Sequence, residues 1–335
     1  MNNEWMNILI SIDDSYLQHA KDLIESLCEK NSNTKFNIYL IYDKNLNDKS
    51  IKELDEFINN NNYGFLKPYY FEASNKNFPI RIEYITKNTY YRLFAPYIIE
   101  DNIDRLLYLD CDIICNGSIK DFYNQEFDNN ILVACKNIVP NRLEEKFKRR
   151  ISYLNMKENE IYINAGVLLI NLDEYKKFIS IEEIYKHIKE NEYIFLFQDQ
   201  DVINSLFKNK IKLANIIYNY QINVIDYGLD MIDCRLVHYS ESNKPWNTVK
   251  PCFKREIHYY NFLYNHNRKD ELKELLKKKY NEYEYYYDYV SRMKNSFSEI
   301  DIIIPTYNSK EYLHKALNSI KEQTYKNIAI HLVDD

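Results

Sequence analysis

The chain has 335 residues, 45% apolar and 15% aromatic, with a formal net charge of −6. That length can bury a sizeable core in one large or two moderate domains, and the acidic balance argues against a protein that coats nucleic acid, which shows a basic face. No window approaches the ~20 apolar residues of a membrane span, and "MNNEWMNILISIDDSY" lacks the basic start and long apolar run of a signal peptide.

Apolar, β-branched runs alternate with amphipathic stretches from the start. Strands are expected at 7–12, 36–42 and 65–71, separated by helices in "SYLQHAKDLIESLCEK" and "DKSIKELDEFINN". Runs at 105–109 and 130–136 continue the pattern, and 163–172 and 234–239 read as strands ending in polar groups. The stretch 198–207 has helical spacing, with Val202, Ile203, Leu206 and Phe207 on one face. Strand and helix in alternation predict an α/β fold whose mainly parallel sheet is covered on both faces.

Composition shifts after Trp246. Residues 250 to 297 combine lysines and arginines with a tyrosine cluster at 280–289. They read as a solvated helical extension or linker, or as a surface that sits on an anionic membrane leaflet. From about 298 the alternation restarts, and "DIIIPTYNSKEYLHKALNSIKEQTYKNIAIHLVDD" reads as the opening of a second domain, too short to bury a core alone. The expected organisation is therefore 1–249, 250–297 and 298–335. Six scattered cysteines without a C-x-x-C pair are expected to be free thiols in a reducing cytoplasm.

"LLYLDCDIIC" (106–115) places Asp110 and Asp112 at the end of an apolar run. Side chains at i and i+2 of a strand project to the same side, so two like charges converge. A divalent cation between them removes the repulsion, and oxygen ligands favour Mg²⁺ or Mn²⁺ over zinc. The carboxyl ends of strands in open α/β sheets are also where ligands bind. An unliganded turn is the plain alternative. A phosphatase with Asp110 as nucleophile is a further one, although such enzymes usually carry the motif in their first strand.

Six ordered motifs carry a resemblance over residues 7 to about 247: "SIDDSYLQHAKDLIESL", "YYRLFAPYII", "LLYLDCDIIC", "INAGVLLINL", "FQDQDVINSLF" and "LVHYSESNKPW". They resemble the family 8 retaining glycosyltransferases, in particular the bacterial lipopolysaccharide and lipooligosaccharide galactosyl- and glucosyltransferases. The resemblance implies a GT-A fold, a UDP-hexose donor, Mn²⁺, a cell-surface glycan or glycolipid acceptor, and transfer with retained configuration. A cytoplasmic enzyme, peripheral on the inner face of the membrane, is the expected setting. A non-catalytic nucleotide-sugar-binding module is the competing reading.

The same resemblance implies roles residue by residue. Asp110, Asp112 and His238 match the metal ligands, and the mixed carboxylate and imidazole set suits Mn²⁺. Lys244 matches a phosphate-binding lysine that stabilises the leaving UDP. Asp13, Ser15 and Tyr16 match the stretch that reads uracil and ribose, with Ser15 in place of the usual asparagine; D-D-S is also a good helix N-cap. Arg92 and Asn164 match contacts to the donor sugar. Arg92, on an apolar helix, needs an anionic partner if buried, and the glycine at Gly166 is compatible with close approach to the backbone. Asp199 matches a group on the sugar hydroxyls, and Gln200 the residue beneath the reacting carbon. A glutamine is a poor nucleophile, which favours front-side attack; a covalent intermediate on Asp201 is the alternative. The four residues "QDQD" cannot all face one substrate, because successive helical residues point about 100° apart. Where the family usually has a glycine three residues after the histidine, this chain has Glu241, whose carboxylate must turn away from a diphosphate. The final segment resembles the opening of family 2 glycosyltransferases, which implies a longer, bifunctional native polypeptide.

Overall fold

The computed structural model describes residues 4–71, 78–80, 87–100, 102–139, 143–157, 160–222, 234–240, 242, 244–247, 253–280, 300–306, 317–320 and 328–334. Glu241, Cys252 and the tyrosine-rich stretch 281–289 lie outside these residues. Two compact units divide the chain: residues 1–248 with 252–262, and residues 249–251 with 263–335.

The strands of the first unit are β1 (Glu4–Ile10), β2 (Thr34–Tyr42), β3 (Gly64–Tyr70), β4 (Arg105–Leu109), β5 (Ile113–Cys115), β6 (Leu132–Lys136), β7 (Ile163–Asn171), β8 (Ile211–Ala214), β9 (Tyr220–Gln221) and β10 (Leu236–His238). Between them run α1 (Leu17–Lys30), α2 (Asp48–Asn60), α3 (Tyr91–Ile98), α4 (Lys120–Tyr123), α5 (Glu144–Ser152), α6 (Leu172–Phe178), α7 (Ile181–Glu190) and α8 (Gln198–Phe207). The expected alternation is present, with α2 and α8 at the predicted bounds.

Seven strands form one sheet in the order β3-β2-β1-β4-β7-β6-β8. Its pairings are parallel except at β7, which runs antiparallel to both β4 and β6. The long apolar run "INAGVLLIN" is buried along nearly its whole length, as a central strand covered on both faces requires. One apolar cluster covers each face: Leu23, Ile24 and Leu54 of α1 and α2 belong to one, and Phe94, Ile184 and Val202 of α3, α7 and α8 to the other. Ser180 and Glu183 close a reciprocal capping box at the start of α7.

A second, three-stranded sheet runs β5-β10-β9, with β10 antiparallel to β5 and parallel to β9. The run 234–239, expected as a strand, supplies β10 of this smaller sheet.

Helix α9 (Phe253–Asn265) begins in the first unit, and its last residues fall in the second. The second unit also holds α10 (Lys269–Tyr280) and a parallel pair, β11 (Ile300–Thr306) and β12 (Ile328–Asp334). Among the described residues no helix is long and apolar enough to cross a membrane.

Gly64 begins the edge strand β3 with φ +153°, and a Cβ there would lie 1.8 Å from the Phe36 carbonyl oxygen. Gly64→Ala is expected to destabilise the protein by more than about 1 kcal/mol, measured as a lowered urea midpoint; an unchanged midpoint would show that the edge strand shifts without cost.

Candidate active site

Strands β4 and β7 open into a cavity of about 410 Å³, lined among others by Asp13, Tyr16, Arg92, Asp110, Asp112, Asn164, Asp199, Gln200, His238 and Lys244. Because β7 is reversed, its start rather than its end reaches the cavity. Asn164, Ala165 and Gly166 therefore lie beside the C-terminal end of β4, where the Asp110 N–H donates to the Gly166 carbonyl at 2.9 Å. The polar end of β7, Asn171, instead caps α6.

Asp110 and Asp112 occupy the turn between β4 and β5 rather than an extension of the strand. The turn feeds β5, whose antiparallel partner β10 sets His238 opposite Ile113. The Tyr239 N–H then donates to the Asp112 carbonyl at 2.9 Å. One ligand atom from each of Asp110, Asp112 and His238 lies within 4.8 Å of the others. His238 Nε2 is 3.1 Å from Asp112 Oδ1 and 3.7 Å from Asp110 Oδ2. Asp112 Oδ1 is buried yet accepts no hydrogen bond, so the 3.1 Å approach is a contact without bond geometry. A buried oxygen left bare beside an imidazole nitrogen and a second carboxylate fits a divalent cation.

The expected close approach at Gly166 is made by the protein itself. A Cβ there would lie 2.3 Å from His238 Cε1 and 2.7 Å from Asp110 Oδ2, so only glycine lets the ring rest against the strand. Cys111 is packed into the core and its thiol is pushed well above its ordinary range by burial.

Arg92, from α3, finds the anionic partners its burial requires. Its Nη2 lies 3.0 Å from Asp110 Oδ1 and its Nε 3.1 Å from Asp199 Oδ2. The single Nε hydrogen points at the Thr89 carbonyl, 2.8 Å away, so the approach to Asp199 is Coulombic. The guanidinium also stacks over Tyr108, 4.0 Å from the ring centroid. Burial pushes Asp199 up to about 6 from 3.8, with Arg92 opposing the rise and Asp110 adding to it. At Asp112 burial acts in the same direction but is outweighed, first by Lys244 and then by His238, and the carboxyl is held below its ordinary range.

The "QDQD" stretch divides as helix geometry requires: Asp199 and Gln200 line the cavity, whereas Gln198 and Asp201 do not. Gln200 Oε1 accepts from the Ala165 N–H at 3.0 Å, and its Nε2 donates to the Tyr162 hydroxyl at 3.3 Å. Asp201 is fully buried and saturated. It accepts from Tyr162 OH at 2.5 Å, from the Leu196 and Phe197 N–H groups at 2.7 and 2.8 Å, and from Arg150. Such a carboxylate holds the start of α8 and has no lone pair turned to a substrate, which weighs against the covalent alternative.

Lys244 lines the cavity and its ammonium bonds Asp112 and the Tyr239 carbonyl. Its loop is anchored by Trp246, stacked on His19 of α1 at 3.8 Å. Asp13 and Tyr16 line the cavity as well. Asp13 also caps the turn Asp14–Tyr16, accepting from the Ser15 N–H at 3.0 Å; Ser15 is exposed and does not line the cavity. Several polar groups at the site escape sequence reading. Asn88, Thr89, Asn137 and Gln221 line the cavity, and Asn219 lies 2.8 Å from His238 Nδ1. Thr89 precedes "YYRL" and adjacency could have suggested it; nothing in "IIYNYQIN" marks Asn219.

The profile of glycosyl transferase family 8 matches residues 7–250, and that of glycosyl transferase family 2 matches residues 301–335. The chain is 29% identical over 274 residues to a Haemophilus influenzae protein named as a glycosyltransferase, covering 78% of each. It is 26% identical over 303 residues to an Escherichia coli lipopolysaccharide 1,2-glucosyltransferase, covering 82% of this chain and 87% of that one. The fold is similar, with a TM-score of 0.65 and 22% identity, to the galactosyltransferase LgtC in complex with donor and acceptor sugar analogues; the match covers 72% of this chain and 90% of that one. These likenesses leave the phosphatase reading of the Asp110–Asp112 pair without support.

Asp199 has a raised folded-state pKa, so the native state binds an extra proton between 3.8 and about 6. Its contribution to stability is present below the lower value and lost as pH rises through the upper one. In the metal-free protein that loss is about 3 kcal/mol. Asp199→Asn should therefore gain stability relative to wild type between pH 4.5 and 7.5, measured by denaturant titration at both; parallel pH profiles of the two proteins would refute the assignment.

Proposed function

The chain belongs to glycosyl transferase family 8, and from that premise we propose that it is a Mn²⁺-dependent retaining enzyme moving glucose or galactose from a UDP-hexose to a bacterial cell-surface glycan. It is a glycosyltransferase of the group that includes lipopolysaccharide sugar transferases. GT-A enzymes of this kind use a nucleotide sugar and a divalent metal, and the Asp110, Asp112 and His238 cluster in the cavity is the observation that carries the reading.

Asp110, Asp112 and His238 would hold the cation, and a set of two carboxylates with one imidazole suits Mn²⁺. When bound, the cation supplies positive charge to a diphosphate that two carboxylates would otherwise repel. Lys244, on the same wall, adds a point charge for the UDP that leaves as the glycosidic bond breaks. Asp13 and Tyr16, which line the cavity, are assigned to the base and ribose of the donor, with Ser15 supporting Asp13 through the cap. Asn164, Arg92 and Asp199 line the same cavity and are assigned to the hexose, and a buried carboxylate such as Asp199 is suited to fix a sugar hydroxyl.

Gln200 offers a neutral amide that is already bonded at both ends, so it positions the sugar and does not attack it. We assign a front-side displacement. The acceptor oxygen bonds to the anomeric carbon on the face from which UDP departs, and the acceptor proton passes to the departing phosphate oxygen. Asp201 is assigned to holding α8. The family 2 match at 301–335, with the parallel pair β11–β12, supports reading 298–335 as the start of a second glycosyltransferase domain, and 250–297 as the segment joining the two.

Two measurements test the reading. A UDP-hexose at 100 times its Kd, with Mn²⁺ present, should add about 2.7 kcal/mol to the folded state, read by thermal unfolding. Lys244→Met should lower kcat for UDP release about 10²- to 10³-fold while the fold is retained. No stabilisation by any nucleotide sugar and no UDP release in Mn²⁺ would overturn it.

A further inference from the structure

His238 can ligate a cation through Nε2 only if that nitrogen carries a lone pair, which in a neutral imidazole requires the proton on Nδ1. The structure contains a chain of buried amides that dictates this. It starts at an atom whose identity is beyond dispute, the Gly166 backbone N–H. That group lies 3.0 Å from Asn164 Oδ1, so the Asn164 atom turned toward it must be the oxygen. The same oxygen is 2.8 Å from Asn219 Nδ2, and since it accepts, the Asn219 atom must be the amide nitrogen. The remaining Asn219 atom is then the carbonyl oxygen, and it lies 2.8 Å from His238 Nδ1. An oxygen without a proton can only accept, so Nδ1 donates, and in the neutral ring Nε2 is then left bare toward Asp110 and Asp112.

Asn164, Asn219 and His238 are 7%, 0% and 2% exposed, so water has little access with which to reverse the order. Turning Asn219 around would set its oxygen against the Asn164 oxygen, a buried mismatch whichever ring nitrogen carries the His238 proton. Gly166 serves the arrangement twice, supplying the first donor and leaving room for the ring, since a Cβ there would lie 2.3 Å from His238 Cε1.

We propose that Asn219 is a positioning residue, relaying the Gly166 N–H through Asn164 so that His238 is held as the Nδ1–H tautomer with Nε2 aimed at the cation. The inference rests on the metal site proposed above. It places Asn164 in two roles, one face on the donor cavity and the other on this relay. Outer partners of a ligating histidine fix the tautomer and ring orientation, and their loss typically costs 10- to 100-fold in metal affinity.

The test uses the full chain. Long-range ¹H–¹⁵N correlation on ¹⁵N-histidine-labelled, metal-free protein, with His238→Gln to assign the signal, should show His238 protonated at Nδ1. Asn164→Asp keeps an oxygen toward both Gly166 N–H and Asn219, and should preserve that signature. Asn219→Leu should lose it and raise the Kd for Mn²⁺ alone, read from the paramagnetic resonance of free Mn²⁺, about 10- to 100-fold. A wild-type ring protonated at Nε2 and not at Nδ1 would overturn the relay, as would a folded Asn219→Leu protein that binds Mn²⁺ within twofold of wild type. Should that variant fail to fold, the wild-type and Asn164→Asp spectra decide alone. A wild type with the Nδ1–H signature that binds no Mn²⁺ would overturn the metal assignment and leave the relay standing.

Discussion

Like-charge repulsion inside one buried cavity is the constraint on which the rest of the site depends. Asp110, Asp112 and Asp199 share that space, and carboxylate oxygens of Asp110 and Asp112 within 4.8 Å of each other repel by at least about 3 kcal/mol at an effective dielectric near 20. Every polar neighbour can be read as an answer. Arg92 lies between Asp110 and Asp199 and Lys244 bonds Asp112, whereas Nε2 of His238, which faces both members of the Asp110–Asp112 pair, answers the repulsion only together with a cation. Two cations offset three carboxylates incompletely, and two buried carboxylate oxygens, Asp112 Oδ1 and Asp199 Oδ2, accept no hydrogen bond.

The fold creates this concentration through one reversed strand. A fully parallel sheet would bring only strand ends to its carboxyl edge. Running β7 against β4 places Asn164 and Gly166, from the start of a strand, beside Asp110 from the end of another. The second sheet adds the remaining piece, since β10 pairs with β5 directly after the turn that carries Asp112. A histidine about 126 residues away in sequence thus meets the carboxylates through two short strands, and the glycine at 166 leaves the ring space to do so.

The residues behind the cavity wall fix what the wall presents. Asp201 is spent on two backbone N–H groups, Tyr162 and Arg150. Tyr162 in turn receives the Gln200 amide, and the Ala165 N–H fixes its carbonyl. Gln200 is therefore held by bonds at both ends of its amide, and Asn164, Asn219 and His238 form a comparable series on the other side of β7. Preorganisation of this kind means that polar groups need little rearrangement when a charged donor enters.

Much was legible in the sequence because it depends on local rules. Alternating apolar runs gave the layered α/β arrangement, helix bounds at 48–60 and 198–207 followed from periodicity, and helix geometry required that the four residues of "QDQD" not all face one substrate, leaving open which of them do. Ordered motifs sufficed to mark Asp110, Asp112, His238, Arg92, Asn164 and Lys244, all of which line one cavity. What the tertiary structure alone decided are matters of pairing and direction. A strand's sense within a sheet depends on its neighbours, so the reversal of β7 was invisible in "INAGVLLINL", and 234–239 could not be assigned to the smaller sheet. Asn219 carries no local signal, because its role arises only where a backbone N–H, two amides and an imidazole from separate segments come within hydrogen-bond reach.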